Sequence, residues 1–332
     1  MGMERAGSIR EPCLVCAGGS VPPRLRGETR ARGAPAGILN VNKPSGPTSH
    51  DIVDRIRRAS RVRRVGHAGT LDPAASGVLI VCLGQATRVI EYLMNSKKRY
   101  HARIRLGVVT ETGDAQGKVV RSIPEINTTR AEVEEALTRF RGPVQQVPPM
   151  YSALKHEGRA LYELARRGIA VERTPRVVEI YDLRLTIWTP PTFQLFVECS
   201  RGTYVRVLAA DVGEALGTGG HLDQLVRVAC GAYALEDAVS LDRAEETLSG
   251  GDWSQILHPL DEPLLDFDAF IVDQEAEIKI RHGQQVEGPD PLNGLFSRAY
   301  TTTSQFVGLL QYHRENRAWQ PRKVFNADEA NA

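Results

Sequence analysis

Six apolar residues in a row, Val78-Leu79-Ile80-Val81-Cys82-Leu83, follow directly on a segment rich in glycines and small side chains, Gly66-His67-Ala68-Gly69-Thr70-Leu71-Asp72-Pro73-Ala74-Ala75-Ser76-Gly77. The apolar run reads as a buried strand, and it ties whatever precedes it to a rigid element. One carboxylate, Asp72, sits in the loop so mounted. Pro73 disfavours the helical region for Asp72 and leaves it extended or in a turn. Its small neighbours let a bulky planar substrate come close. An acid placed in this way suits a nucleophile or an acid/base group. The same residues also fit a surface Asp-Pro turn that caps a strand.

At 332 residues the chain has room for two domains, and 42% hydrophobic with 25% charged residues is the composition of an ordinary globular protein. No uncharged apolar run approaches the ~20 residues of a membrane-spanning helix, and no apolar signal core opens the chain. A cytoplasmic protein is expected. The formal net charge of +2 announces no nucleic-acid binder. Its distribution says more, because Arg55, Arg57, Arg58, Arg61, Arg63 and Arg64 crowd the residues just before Gly66. Such a cluster can neutralise phosphates. Five cysteines do not suggest a disulfide framework. Cys13 and Cys16 form a C-x-x-C pair with no second pair to complete a zinc site, so no metal is expected. Cys82 and Cys199 lie in apolar runs and read as core residues.

Residues 1–36 lack helical or strand periodicity and read as a disordered basic tail. Order is expected from Gly37, with a strand to Lys43 and a helix capped by Thr48 or Ser49 that carries Ile52, Val53 and Ile56. A helix is expected over 86–93. Lys98 to Leu106 alternates, which puts Tyr100, Ala102, Ile104 and Leu106 on one face of a strand. Thr129 begins a helix through Phe140, and a shorter one runs from Ala160 to Arg167. Strands are expected over 177–187 and 193–199, then a helix through Leu216. Strands and helices interleave irregularly, which argues for an α+β domain over 37–250. A polar stretch with Gly250-Gly251, Pro259 and Pro263 separates it from a β-rich module over 262–326, sized for a small barrel.

Several separated motifs together make the chain resemble the TruB-type bacterial tRNA pseudouridine synthases, which isomerise uridine 55 in the T-arm of tRNA. In order these are Asn42-Lys43-Pro44-x-Gly46-x-Thr48-Ser49, the Gly66–Gly77 loop, Lys98-Arg99-Tyr100, Gly142 to Lys155, Gly202-Thr203-Tyr204-Val205-Arg206, and Gly220-His221-Leu222-x-x-Leu225. The resemblance implies a mixed β-sheet with flanking helices and, after it, a PUA-like β-barrel that binds RNA. It implies that Asp72 is the catalytic nucleophile, adding either to the base or to the sugar carbon. Arg206 then pairs with that aspartate, Tyr100 stacks on the flipped uracil and takes part in proton removal, and Tyr204 and Leu225 line the pocket.

His67 matches a residue that fills the gap left by flipped nucleotides. Lys43 is grouped with it, and with Arg61, Arg63 and Arg64, among the RNA-binding positions. The reaction breaks an N-glycosidic bond and rejoins the base through carbon, so it implies neither a cofactor nor a metal. The partner implied is the tRNA T-arm, met by a monomer without a membrane.

Two positions depart from the common pattern. Val226-Arg227 stands where paired basic residues are usual, which predicts a weakened phosphate contact, and Glu111 replaces an Asp in a turn. A tRNA-binding folding chaperone with secondary or lost catalysis is the competing reading; the set Asp72, Tyr100 and Arg206 argues against it, since binding alone needs no carboxylate. A glycosidase would want a second carboxylate paired with Asp72.

Overall fold

The computed structural model describes residues 36–325 together with a two-residue strand, Val15–Cys16. The described chain divides into two compact units, one holding Ile38–Cys82 and Ile90–Leu257, the other Leu83–Val89 and the residues from His258 onward.

The first unit is built on one mixed sheet. In chain order its main elements are β1 (Gly37–Lys43), α1 (Ser49–Ser60), β2 (Ser76–Leu83), β3 (Lys98–Leu106), α2 (Arg130–Thr138), β4 (Gly142–Gln146), β5 (Arg176–Thr189), β6 (Thr192–Cys199), α3 (Val205–Ala215), β7 (Gly220–Cys230), β8 (Val239–Ser240) and α4 (Leu241–Gly250). The strands lie in the order β8-β1-β2-β7-β3-β6-β5-β4. β2 and β7 pair in parallel, whereas β7, β3, β6, β5 and β4 are successively antiparallel.

Local sequence accounts for most of these elements. Thr48 caps α1 in a capping box: the Asp51 amide donates to its hydroxyl at 3.1 Å, and its own amide donates to the Asp51 carboxylate at 2.8 Å. The helix stops at Arg61, whose φ of 57° is left-handed. Between these ends Ile52 and Ile56 are fully buried, each contributing about 1.5–3 kcal/mol of apolar burial. β3 follows the expected alternation, with Tyr100, Ala102, Ile104 and Leu106 buried and Arg99, His101 and Arg105 exposed. β2 is buried from Gly77 to its end, as a central strand requires. Gly77 itself has a φ of +101°, and a Cβ there would stand 2.2 Å from the backbone oxygen of Arg227. Only glycine lets the two parallel strands approach.

The sequence reading missed β7. Two register irregularities, at Leu222/Gln224 and Arg227/Ala229, interrupt its ladder with β3. Each bulge shifts the inward face by one residue and erases the period of two. The expected single helix over 86–93 is instead a 3₁₀ segment, Gly84–Val89, followed by the short helix Ile90–Met94.

The second unit contains β9 (Asp268–Val272), α5 (Gln274–Arg281), β10 (Phe296–Thr301), β11 (Phe306–His313) and β12 (Ala318–Val324). Its sheet runs Val15–Cys16, β9, β10, β11, β12, with β9 and β10 parallel. The small module expected to be a barrel is a mixed sheet that fits a PUA-like domain, and a bridge between Val286 and Trp319 adds a further pairing on β12. The sequence reading, which placed a short segment of a β-rich module at Ile278 to Ile280, departs from the structure in residues 274–281. Asp273 caps them by accepting from the Ala276 amide at 2.8 Å, and Glu275–Lys279 and Glu277–Arg281 pair one turn apart. A helix there makes a parallel β-α-β unit rather than a hairpin. Trp319, Phe270 and Tyr312 centre its core, with ring centroids 5.4 and 5.1 Å from Trp319.

One correction falls in the segment expected to be a disordered tail. Val15 and Cys16 pair antiparallel with Phe270 and Ala269, using the free edge of β9. The rest of residues 1–35, Cys13 included, lies outside the described residues.

Candidate active site

Asp72 sits on a loop whose backbone acceptors are all engaged from Gly69 to Ala75. Arg227 donates to the carbonyls of Gly69 at 3.1 Å and Thr70 at 3.4 Å. Ser49 donates to that of Leu71 at 3.0 Å and accepts from the Leu71 amide at 2.8 Å. The Asp72 carbonyl accepts from the Ala75 amide, and that of Pro73 from the Gly46 amide. Ser45 serves Ala74, and the Lys43 ammonium serves Ala75 at 2.7 Å, Pro44 at 2.9 Å and Pro73 at 3.2 Å. A loop with its carbonyls so fully paired is held in one shape.

The carboxylate that this loop presents is gripped by Arg206. Nε donates to Asp72 Oδ2 at 2.8 Å and Nη2 to Oδ1 at 3.2 Å, so both oxygens act as acceptors, as in an ionised carboxylate. Two further donors of Arg206 go to the carbonyls of Thr112 at 2.9 Å and Tyr151 at 2.8 Å. Asp114 lies on the other side, with Oδ2 3.8 Å from Nε. The Asp72 side chain keeps 36% of its surface open while that of Arg206 keeps 5%. The acid therefore faces solvent and its partner does not.

The Arg206 fork is aimed by the start of α3. The residue before that helix, Tyr204, has no side-chain cap; instead Gln146, at the end of β4, accepts from its amide at 3.0 Å and donates to its carbonyl at 3.3 Å. Burial raises the pKa of the Tyr204 hydroxyl. Tyr100 stands in the middle of β3, nearly enclosed. Burial pushes its hydroxyl up to about 12, and the Arg227 guanidinium beside it pulls in the opposite direction. Leu225 is half-buried, opposite Ala102, two pairs along the ladder from Arg227 opposite Tyr100. Leu225 and Arg227, two apart on β7, share the face on which Tyr100 lies.

Residues 57–205 match the TruB family pseudouridylate synthase N-terminal domain, and residues 206–268 match the tRNA pseudouridylate synthase B C-terminal domain. A tRNA pseudouridine synthase B of Hydrogenovibrio crunogenus is 39% identical over 87% of this chain and 94% of its own. The chain belongs to the TruB family of pseudouridylate synthases. A second relative, from Symbiobacterium thermophilum and of the same name, is 46% identical over 78% of this chain and 85% of its own. The fold alone is shared with a crystal structure of a Cbf5-Nop10-Gar1 complex, at a TM-score of 0.69 and 23% identity over 96% of this chain and 95% of that one.

Around the acid, this TruB-family chain distributes its other expected site residues unevenly. Arg61, Arg63 and Arg64 are exposed and make no ion pair among the described residues. Arg55 and Arg57, from the same basic run, are held within the protein by Glu245 and Asp54. His67 is mostly buried, its Nδ1 has no hydrogen-bond partner, and burial lowers its pKa so that the neutral ring is favoured. Lys43 was grouped with the RNA-binding positions, but it is fully buried and its donors all go to carbonyls beneath the loop. It supports the loop and has no surface to offer a phosphate.

Arg227, in the pair where the motif departs from the common pattern, is buried as well. With 1% exposure it offers no surface to a phosphate. Asp114 was also missed. It lies in what reads as a polar turn, and only the bridge that brings Asp114 against Leu222 of β7 carries it to Arg206. Among the described residues no group of three or more His, Cys, Asp or Glu is arranged to hold a metal, and no helix is long and apolar enough to cross a membrane.

Proposed function

We propose that the chain is a tRNA pseudouridine synthase that converts uridine 55 of the T-arm to pseudouridine, acting as a monomer. The observation that carries this reading is the half-open Asp72 carboxylate, fixed by a buried arginine on a loop whose carbonyls are all paired. Such an acid is ready to attack without first reorganising.

Uridine 55 lies inside a folded hairpin, so it must be flipped out at a cost of a few kcal/mol. In this reading the neutral ring of His67 fills the space the base leaves. Arg61, Arg63 and Arg64 hold the hairpin by its phosphates. The extruded uracil stacks on Tyr100, a contact worth about 1–3 kcal/mol, between the walls formed by Tyr204 and Leu225.

Asp72 then supplies the nucleophile, either to the base or to the sugar carbon. The bond from N1 to C1′ breaks and one from C5 to C1′ forms. C5 loses a proton, with the Tyr100 hydroxyl placed to take part, and N1 gains one. No electrons are gained or lost overall, so the reaction calls for no redox cofactor. Arg206 moves little during these steps, because four of its five N–H donors are already used.

The test is to incubate the protein with unmodified tRNA and with an isolated T-arm hairpin, then map pseudouridine at single-nucleotide resolution. One product at position 55 is expected in both. No product under conditions of confirmed binding would favour a binding protein without catalysis and overturn the proposal.

A further inference from the structure

Arg227 is fully buried in the middle of β7, yet no carboxylate lies within ion-pairing distance among the described residues. Taking a cation out of water costs several kcal/mol, and an apolar residue of the same volume would fill the space more cheaply. What it does instead is bind backbone. Nε donates to the Val78 carbonyl at 2.6 Å, and the two terminal nitrogens reach Gly69 and Thr70. These acceptors lie on both sides of Asp72 in the chain. One fork thus spans the base of the loop, and its backbone oxygen lies where a side chain at Gly77 would have to go.

The same residue is the direct cross-strand partner of Tyr100. At such a position the two side chains leave the sheet on the same face, with Cβ atoms about 4.5–5.5 Å apart. The guanidinium faces the phenol and opposes the effect of its burial. It also acts on Lys43, the other cation below the loop, whose ammonium in turn faces Asp72. Two buried positive charges therefore underlie the loop, and Arg227 alone touches both the loop and the tyrosine.

We propose that Arg227 is a positioning residue for the reaction, holding the nucleophile's loop and the Tyr100 hydroxyl in register from a single buried fork. The proposal rests on the pseudouridine synthase reading above. It assigns Arg227 no contact with RNA, and so it separates rate from affinity. A lysine keeps the charge but not the planar fork, and reaches fewer of the three carbonyls.

The experiment measures single-turnover rates and hairpin dissociation constants for the full chain, as wild type, Arg227→Gln and Arg227→Lys, with melting curves to confirm folding. Misplacing reacting groups by about 1 Å costs on the order of 100-fold in rate, and that loss is expected for Arg227→Gln with affinity within about threefold of wild type. Arg227→Lys should recover part of the rate and remain about tenfold slow. An Arg227→Gln rate within about threefold of wild type overturns the proposal, as does a loss of affinity that matches the loss of rate.

If Arg227→Gln does not fold, the lysine variant decides. Folded, tight-binding and slow, it supports positioning; folded with the wild-type rate, it overturns it. Failure of both to fold assigns Arg227 to stability alone and also overturns it. A wild-type protein that makes no pseudouridine refutes the functional reading itself, a result distinct from any of these.

Discussion

Lys43, Arg206 and Arg227 lie buried around the Asp72 loop, and their N–H groups go to named carbonyls and one carboxylate. Arg61, Arg63 and Arg64, a few residues upstream of the same loop, point into solvent. The two regions use the same charge differently. Buried cations have fixed partners, are hardly screened by salt, and cost about 3–5 kcal/mol when an ion pair among them is broken from one side. Exposed ones are individually weak, but they act together on phosphates and their effect falls as salt rises. Changes beneath the loop should therefore alter the rate, and changes on the basic segment should alter affinity.

The largest effect is expected at the acid that the buried set serves. Asp72→Asn keeps the shape and should bind the hairpin as wild type does, while the rate falls by more than about a thousandfold. Single-turnover assays with a parallel binding isotherm check this, and near-normal activity would remove Asp72 from the nucleophile role. Arg206→Lys comes next. It retains the charge but replaces a fork that meets both carboxylate oxygens, and a loss of about a hundredfold in rate is expected with affinity preserved. A loss in affinity alone would move Arg206 to the RNA-facing group.

A smaller effect concerns pH. Burial lowers the Lys43 pKa from 10.5 to about 8. As pH rises through about 8 the ammonium loses one of the three protons it gives to Pro44, Pro73 and Ala75, and a lone pair replaces a donor. The rate should decline across that point while hairpin binding holds. The stability contribution of this group has the opposite sign. Between about 8 and 10.5 the unfolded chain holds a proton that the folded one has released, so Lys43 raises stability with pH over that window. A decline in rate without a drop in melting temperature separates the two, and a flat rate profile through pH 8 would contradict the assignment.

The smallest effect on rate is expected where the charges are exposed. Replacing Arg61, Arg63 and Arg64 together with alanine should leave the saturated rate unchanged and weaken hairpin binding. The slope of log affinity against log salt should fall by about 0.7–0.9 for each phosphate contact removed. Binding titrations at several salt concentrations measure it. An unchanged slope would show that these arginines do not face the RNA.

Where sequence carried a short-range signal, it located the elements well. The helix cap read as Thr48 or Ser49 and the alternation from Tyr100 to Leu106 depend on neighbours in the chain; the cap is Thr48, and the alternation is present as read. Thr129, read as the start of a helix, is the cap of α2, with its own box through Glu132. β7 failed the same reading because its bulges break the period of two, and Asp223, Gln224 and Arg227 look like surface residues.

The site divides in the same way. The family resemblance paired Asp72 with Arg206, and the fold brings the two together from 134 residues apart. Asp114 and Arg227 went unrecognised because their partners lie in other strands and loops, and a charged residue in isolation reads as solvated. α5 was lost for a third reason: Ile278 and Ile280 are apolar residues two apart, which fits a strand as well as one turn of a helix.

The loop from Gly69 to Ala75 takes its shape from groups at Lys43, Ser45, Gly46, Ser49 and Arg227. The instructions for its conformation are thus written in three separated stretches of the chain rather than in the loop itself. Transplanting the segment into another scaffold would carry the acid but not its pose. A designer who wanted this nucleophile elsewhere would have to move the turn after β1, the first residue of α1 and the middle of β7 along with it.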